Sequence, residues 1–351
     1  MSFDNLALPV EKRIRAGLVC NETTCDCENC SVSDLCDGPS SRCDAKLCST
    51  RTRQPEGCYA CRAICSRHFA AKQIVESLQG ASFDDVIWKP FQIELPPILF
   101  QINSLVYDRP QHTFLINAKK LTYNDSENWS PQKNLWRRFK IPRKCQLGLS
   151  FFTNDIWMDR YSQNIPETCK KVSAFKPDFA FGMDFSCYEN YPRFDTIVNL
   201  RRRMLSVRLM QDNGINVIPA LGWTRGEDLE RTASWCKDNK ILYAAINMQT
   251  VAVPVHNPEW KRYLSELKVI RDAVPNCKLL MVGSSAPKRM RSIMEAIGPV
   301  HIVDAKSYRF AEYHKDITGK VYPKSVPVLD LFERNADYLN RVHSEIIKDV
   351  C

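Results

Sequence analysis

Ten of the sixteen cysteines in this chain fall between Cys20 and Cys65. Cys20, Cys25, Cys27 and Cys30 are spaced C-x4-C-x-C-x2-C, and Cys58, Cys61, Cys65 and His68 follow as C-x2-C-x3-C-x2-H. Closely spaced thiolates with an imidazole are the soft donors that tetrahedral zinc takes, so the pattern predicts a zinc-binding module over residues 1–75. Cys36, Cys43 and Cys48 are alternate ligands. An iron–sulfur cluster asks for the same thiolates and is the alternative cofactor. The residues between are too polar to build a core, so the segment needs a staple. Asp4, Glu11, Lys12, Arg13 and Arg15 interrupt the apolar stretch of an export signal, which argues against disulfides and for the cytoplasm. No stretch is apolar enough for a membrane span.

A second constellation is spread along the chain. Asp155, Asp184 and Asp304 each follow an apolar run, and Ser186, Tyr188, Trp223, Asn247, Gln249 and Lys306 occupy equivalent positions, with Asn154, Arg225, Ser284, Ser285 and Tyr308 beside them. Residues at the carboxyl ends of parallel strands gather at one end of a sheet or barrel, so together these predict one site. Asp184, directly after FAFGM and flanked by Phe185 and Tyr188, is the leading candidate, with Asp304 next. A carboxylate after a strand also serves as a helix cap, and the arrival of several together is what favours a site.

The elements that must position these residues are legible as apolar runs. Residues 147–152, 179–185, 215–221, 241–248, 278–283 and 300–304 alternate with helical stretches, the pattern of parallel strands joined by helices. Residues 97–106 and 113–121 read as two further strands with DRPQ as a turn between them. Eight strands predict a (β/α)8 barrel or an incomplete variant over residues 76–351, and an open doubly wound sheet is the alternative. Helix signals agree: Asp195 precedes Ile197, Leu200, Met204 and Val207; Thr224 and Glu227 have capping-box spacing; Asn257 and Pro258 open a helix, and Gly298 follows another. No glycine-rich nucleotide motif is present.

The net charge of +9 is clustered. Arg137, Arg138 and Lys140 crowd WRRFKIPRK with Arg143 and Lys144, Arg201, Arg202 and Arg203 form a triplet, and Lys288, Arg289 and Arg291 lie in PKRMR. Such clusters read either as grips for nucleic-acid phosphates, DNA ahead of RNA, or as solvated helix faces.

The stretch from Asp184 through Ser186, Tyr188, Pro192, Asn199, Arg203, Gln211, Gly214, Ile218 and Pro219 to Trp223 resembles a bacterial and phage-borne family catalogued as domain of unknown function 4417, over residues 147–310. That family brings no activity with it. Cys25, Cys27 and Cys30 also have a spacing similar to the zinc element of the tRNA-guanine transglycosylases, although in those enzymes it follows most of the barrel. This resemblance implies cleavage or exchange of an N-glycosidic bond in DNA or RNA, with Asp184 or Asp304 stabilising charge on the sugar. The likeness to the phage-borne family implies a setting in defence against phage with modified bases. The alternatives are a nucleic-acid-binding accessory protein without catalysis and an iron–sulfur redox enzyme.

Overall fold

A computed structural model describes residues 86–103, 112–122, 129–131, 133–188, 193–249, 251 and 253–350. The expected metal module, with Cys20, Cys25, Cys27, Cys30, Cys58, Cys61, Cys65 and His68, lies outside the described residues. The chain forms two compact units, one of residues 87–184, 206–222 and 229–351, the other of 1–86, 185–205 and 223–228.

The larger unit is built on parallel strands β1 (Ile98–Ile102), β2 (Phe114–Asn117), β3 (Leu147–Ser150), β4 (Phe179–Phe181), β5 (residues 217–221), β6 (Tyr243–Asn247), β7 (Lys278–Val282) and β8 (His301–Asp304). Apart from polar residues at their ends, these are apolar and buried on both faces, as strands under a helical layer must be. β5 is one strand divided by Pro219. Its first half, Val217–Ile218, pairs with β4 and its second half, Ala220–Leu221, with β6. Consecutive carbonyls of β5 face opposite neighbours: Ile218 O accepts from Gly182 N at 2.8 Å and Pro219 O from Ala245 N at 2.9 Å. With β8 paired to β1, the ring of eight strands closes. The barrel expectation holds, and the open doubly wound sheet does not. β1 and β2 are parallel, so DRPQ alone cannot join them as a hairpin turn, and residues 103–113 carry the connection.

Described helices are α1 (Leu135–Phe139), α2 (Asp155–Ser162), α3 (Ile165–Ser173), α4 (Arg193–Asp212), α5 (Gly226–Asp238), α6 (Pro258–Ala273), α7 (Pro287–Ile297), α8 (Lys306–Glu312) and α9 (Val328–Val350). Local signals set several ends. Asn257 caps α6 by accepting from Glu259 N at 2.8 Å, and Gly298, at φ +75°, ends α7. Asp195 lies inside the first turn of α4 rather than before it. At α5 the carboxylate that meets Thr224 is Asp228, not Glu227, with the Thr224 hydroxyl donating at 3.2 Å.

Leu99, Leu115, Phe179, Phe181, Ile218, Ala220, Tyr243, Ala245, Leu280, Val282 and Val303 fill the barrel interior. Gly148 belongs there because Phe179 leaves no room for more: a Cβ would lie 2.4 Å from its ring. The amino-terminal mouth is sealed by the segment preceding β1. Trp88 Nε1 donates to Val217 O at 2.8 Å, Tyr243 Oη to Ile93 O at 2.5 Å, and His301 Nδ1 to Pro96 O at 2.8 Å, while Leu95 joins the core. The carboxyl-terminal end is therefore where side chains can present chemistry. No helix among the described residues is long and apolar enough to cross a membrane.

Candidate active site at the carboxyl end of the barrel

Side chains two apart on a strand share a face. Leu99, Leu115, Gly148 and Ala245 point inward, so Gln101, Asn117, Ser150 and Asn247 follow them inward at the carboxyl end. An apolar core thus gives way to a level of amides and a hydroxyl. Asn117 and Ser150 are committed to local backbone: Asn117 Nδ2 donates to Phe152 O at 3.0 Å, and Ser150 Oγ accepts from Phe152 N at 3.4 Å.

Asn247 does something else. Its Oδ1 accepts from Gln249 N at 2.9 Å, which fixes the direction of the amide, and its Nδ2 donates to Asp184 Oδ2 at 2.5 Å. Asp184 follows β4 and is only 4 % exposed. The bond spans β5, and the residue that follows β5 is Gly222, which has no side chain to intervene. A buried carboxylate, oriented by a neutral amide at the mouth of a closed barrel, is a group suited to moving a proton or stabilising positive charge.

The other residues expected here divide sharply. Asp304 is buried, but both its oxygens are spent on the amides that open α8: Oδ1 accepts from Lys306 N at 3.1 Å and Oδ2 from Ser307 N at 2.8 Å. Its expected catalytic role is corrected to that of a helix cap. Asp155 is the first residue of α2, behind the cap Asn154, where a carboxylate complements the helix dipole. Gln249 is exposed and contributes its backbone, and Lys306 is exposed at the start of α8. Gln101 and Ser150 were hidden to sequence reasoning inside apolar runs.

Ser186, Tyr188, Arg203 and Trp223 belong to the smaller unit. There Arg203 donates to Phe185 O from Nε at 2.9 Å and from Nη2 at 2.7 Å, and Asn199 Nδ2 donates to Ser186 O at 2.9 Å. Arg202 donates to Asn199 Oδ1 at 3.2 Å and lies over the Phe185 ring. Arg201, Arg202 and Arg203 are buried, so they form no solvated helix face and offer little surface to the phosphates they were expected to grip. In the other cluster Arg137 and Lys140 are exposed, whereas Arg138 is half-buried and donates to Lys120 O.

No family model matches this chain, and no curated protein matches it. Among solved structures it is similar to a 4-hydroxy-2-oxoglutarate/2-dehydro-3-deoxyphosphogluconate aldolase, at 9 % identity and TM-score 0.36, over 72 % of this chain and 94 % of the other. It is also similar to a protein described as a fructose-1,6-biphosphate aldolase from Coccidioides immitis, at 15 % identity and TM-score 0.40, over 79 % of this chain and 95 % of the other. Likeness at this level carries no activity across. The expected cleavage of N-glycosidic bonds in nucleic acid is nevertheless overturned. Asp304, one of its two expected carboxylates, spends both oxygens on a helix cap, and the arginine triplet expected to hold phosphates is buried.

Proposed function

We propose that the protein is an enzyme working at the carboxyl end of its barrel on a small polar substrate, with Asp184 as the proton-transferring carboxylate and Asn247 as the residue that orients it. The observation that supports this reading is the 2.5 Å bond from a directionally fixed amide to a buried carboxylate in the polar end of the barrel. A general acid or base contributes about 10²–10⁴-fold to rate. Incubating the protein with a mixture of cellular small molecules and following their depletion by mass spectrometry tests the reading. Wild-type protein depletes at least one component, and Asp184→Asn slows that depletion by about two orders of magnitude or more. Equal depletion by both proteins sinks the assignment of Asp184.

A nucleic-acid partner is supported by a separate observation, the exposed Arg137, Lys140, Arg143 and Lys144, with Arg143 stacked 4.0 Å above Trp136. Four phosphate contacts give a log–log salt slope of about −3 to −4 for duplex DNA, and replacing the four cations with Gln removes it. Zinc at Cys20, Cys25, Cys27, Cys30, Cys58, Cys61, Cys65 and His68 is likewise a proposal, carried by their spacing. Metal analysis of the purified protein checks it, and broad visible absorbance lost on reduction replaces zinc with an iron–sulfur cluster.

A further inference from the structure

The polar level at the carboxyl end holds a carboxylate at one side and unsatisfied neutral groups at the other. Gln101 is on β1, three strands round the ring from Asn247 on β6. Its Oε1 is buried and meets no hydrogen-bonding partner. Ser284, in the turn after β7, is fully buried, and its Oγ also meets none. Only β8 separates β7 from β1, so the two strands are about 10 Å apart, and the residue following β8 there is the small Ala305. A buried amide oxygen and a buried hydroxyl left unpaired each carry a desolvation penalty that a bound group can remove.

The chemistry of that group follows from the partners. An amide oxygen asks for a donor, a serine hydroxyl gives or takes, and a ligand hydroxyl does both. Exchanging the amide O and N of Gln101 leaves a hydroxyl equally acceptable. The inward side chains of this level on the strands themselves, Gln101, Asn117, Ser150 and Asn247, are all neutral, and the side chain bonded to them through Asn247 is an acid, Asp184. A phosphate or carboxylate would meet no counter-charge from these groups.

Resting on the proposed role of Asp184, we infer that the substrate is an uncharged polyhydroxylated molecule, a sugar or polyol. One hydroxylated end is held by Gln101 and Ser284, and its reacting carbon lies towards Asp184. The small interior of an eight-stranded barrel limits it to a single unit rather than a chain.

Saturation-transfer NMR on the full chain, with ribitol, sorbitol and D-ribose as probes and glycerol 3-phosphate as the anionic comparison, tests this. At least one uncharged probe binds wild type, and its affinity falls about tenfold in Gln101→Met and in Ser284→Ala. Circular dichroism melting establishes that each variant is folded, and either variant suffices if the other does not fold. The inference is overturned if no uncharged probe binds wild type, if both variants bind as wild type does, or if glycerol 3-phosphate binds and the uncharged probes do not. Ser284→Ala that melts earlier with unchanged probe affinity assigns the hydroxyl to a buried water instead, and also overturns it. Failure here with Asp184-dependent depletion intact leaves the reading of Asp184 standing. Probe binding without Asp184-dependent depletion does the reverse.

Discussion

Asn247 makes two bonds that differ in purpose. The one from Gln249 N to Oδ1 sets which way the amide points, and the one from Nδ2 to Asp184 uses that direction. Asn247→Asp therefore sets two carboxylates side by side, and one of them must hold a proton. We expect turnover in that variant to shift to lower pH, where one proton is shared, and a pH–rate profile against wild type checks it. Asn247→Ala instead lowers turnover while leaving Asp184 present. Asp304 offers the contrast. Asp304→Ser keeps an oxygen for the α8 amides, so it retains turnover, whereas Asp304→Ala loses about 1 kcal/mol of stability, read by urea unfolding. Asp184 and Asn247 were legible because each follows an apolar run. Gln101 and Ser150 were not, because strands buried on both faces show no alternation to mark which residues point inward.

Two elements show how much local chemistry the barrel overrides. Pro219 sits in mid-strand, where its missing N–H ordinarily excludes it, yet its carbonyl still accepts from Ala245 and the ring stays closed. At β3, Gly148 exists for the Phe179 ring on the neighbouring strand. Gly148→Ala forces a methyl group into it and into Leu115 Cδ2 at 2.8 Å, and we expect a loss of about 1–3 kcal/mol in urea unfolding with the fold retained. The arginine triplet of α4 illustrates the opposite failure of reading. Three consecutive cations look like a solvated face or a phosphate grip, but consecutive residues on a helix point in three directions, and all three are buried. Charge in sequence does not reveal exposure.

Over the whole molecule, closure of the amino end couples stability to pH. His301 has its pKa lowered first by burial and then by the charges of Lys278, His343 and Arg271, which together outweigh its bond to Pro96 O; burial likewise lowers His343, bonded to Val300 O at 3.0 Å. The unfolded chain thus binds protons that the folded protein refuses, so these residues destabilise the fold as pH drops below about 6.5 and are neutral in effect above it. Melting temperature measured from pH 8 down to pH 5 falls, and His343→Gln makes the fall shallower. Trp88→Phe removes the bond to Val217 O and lowers stability by about 1–2 kcal/mol, measured the same way at neutral pH. The sequence by itself placed eight apolar runs and the polar residues that follow them, because apolar runs, caps and breakers are local and the chain states them directly, although residues 118–121 of the second run form a 3-10 helix rather than strand. Only the tertiary structure decided that the sheet closes through Pro219, that Asp184 meets Asn247 over the residue after β5 while Asp304 turns to a helix, and that the arginine triplet is buried. Those outcomes depend on which side of a strand faces the axis and on partners 63 residues apart, and neither is written in any local pattern.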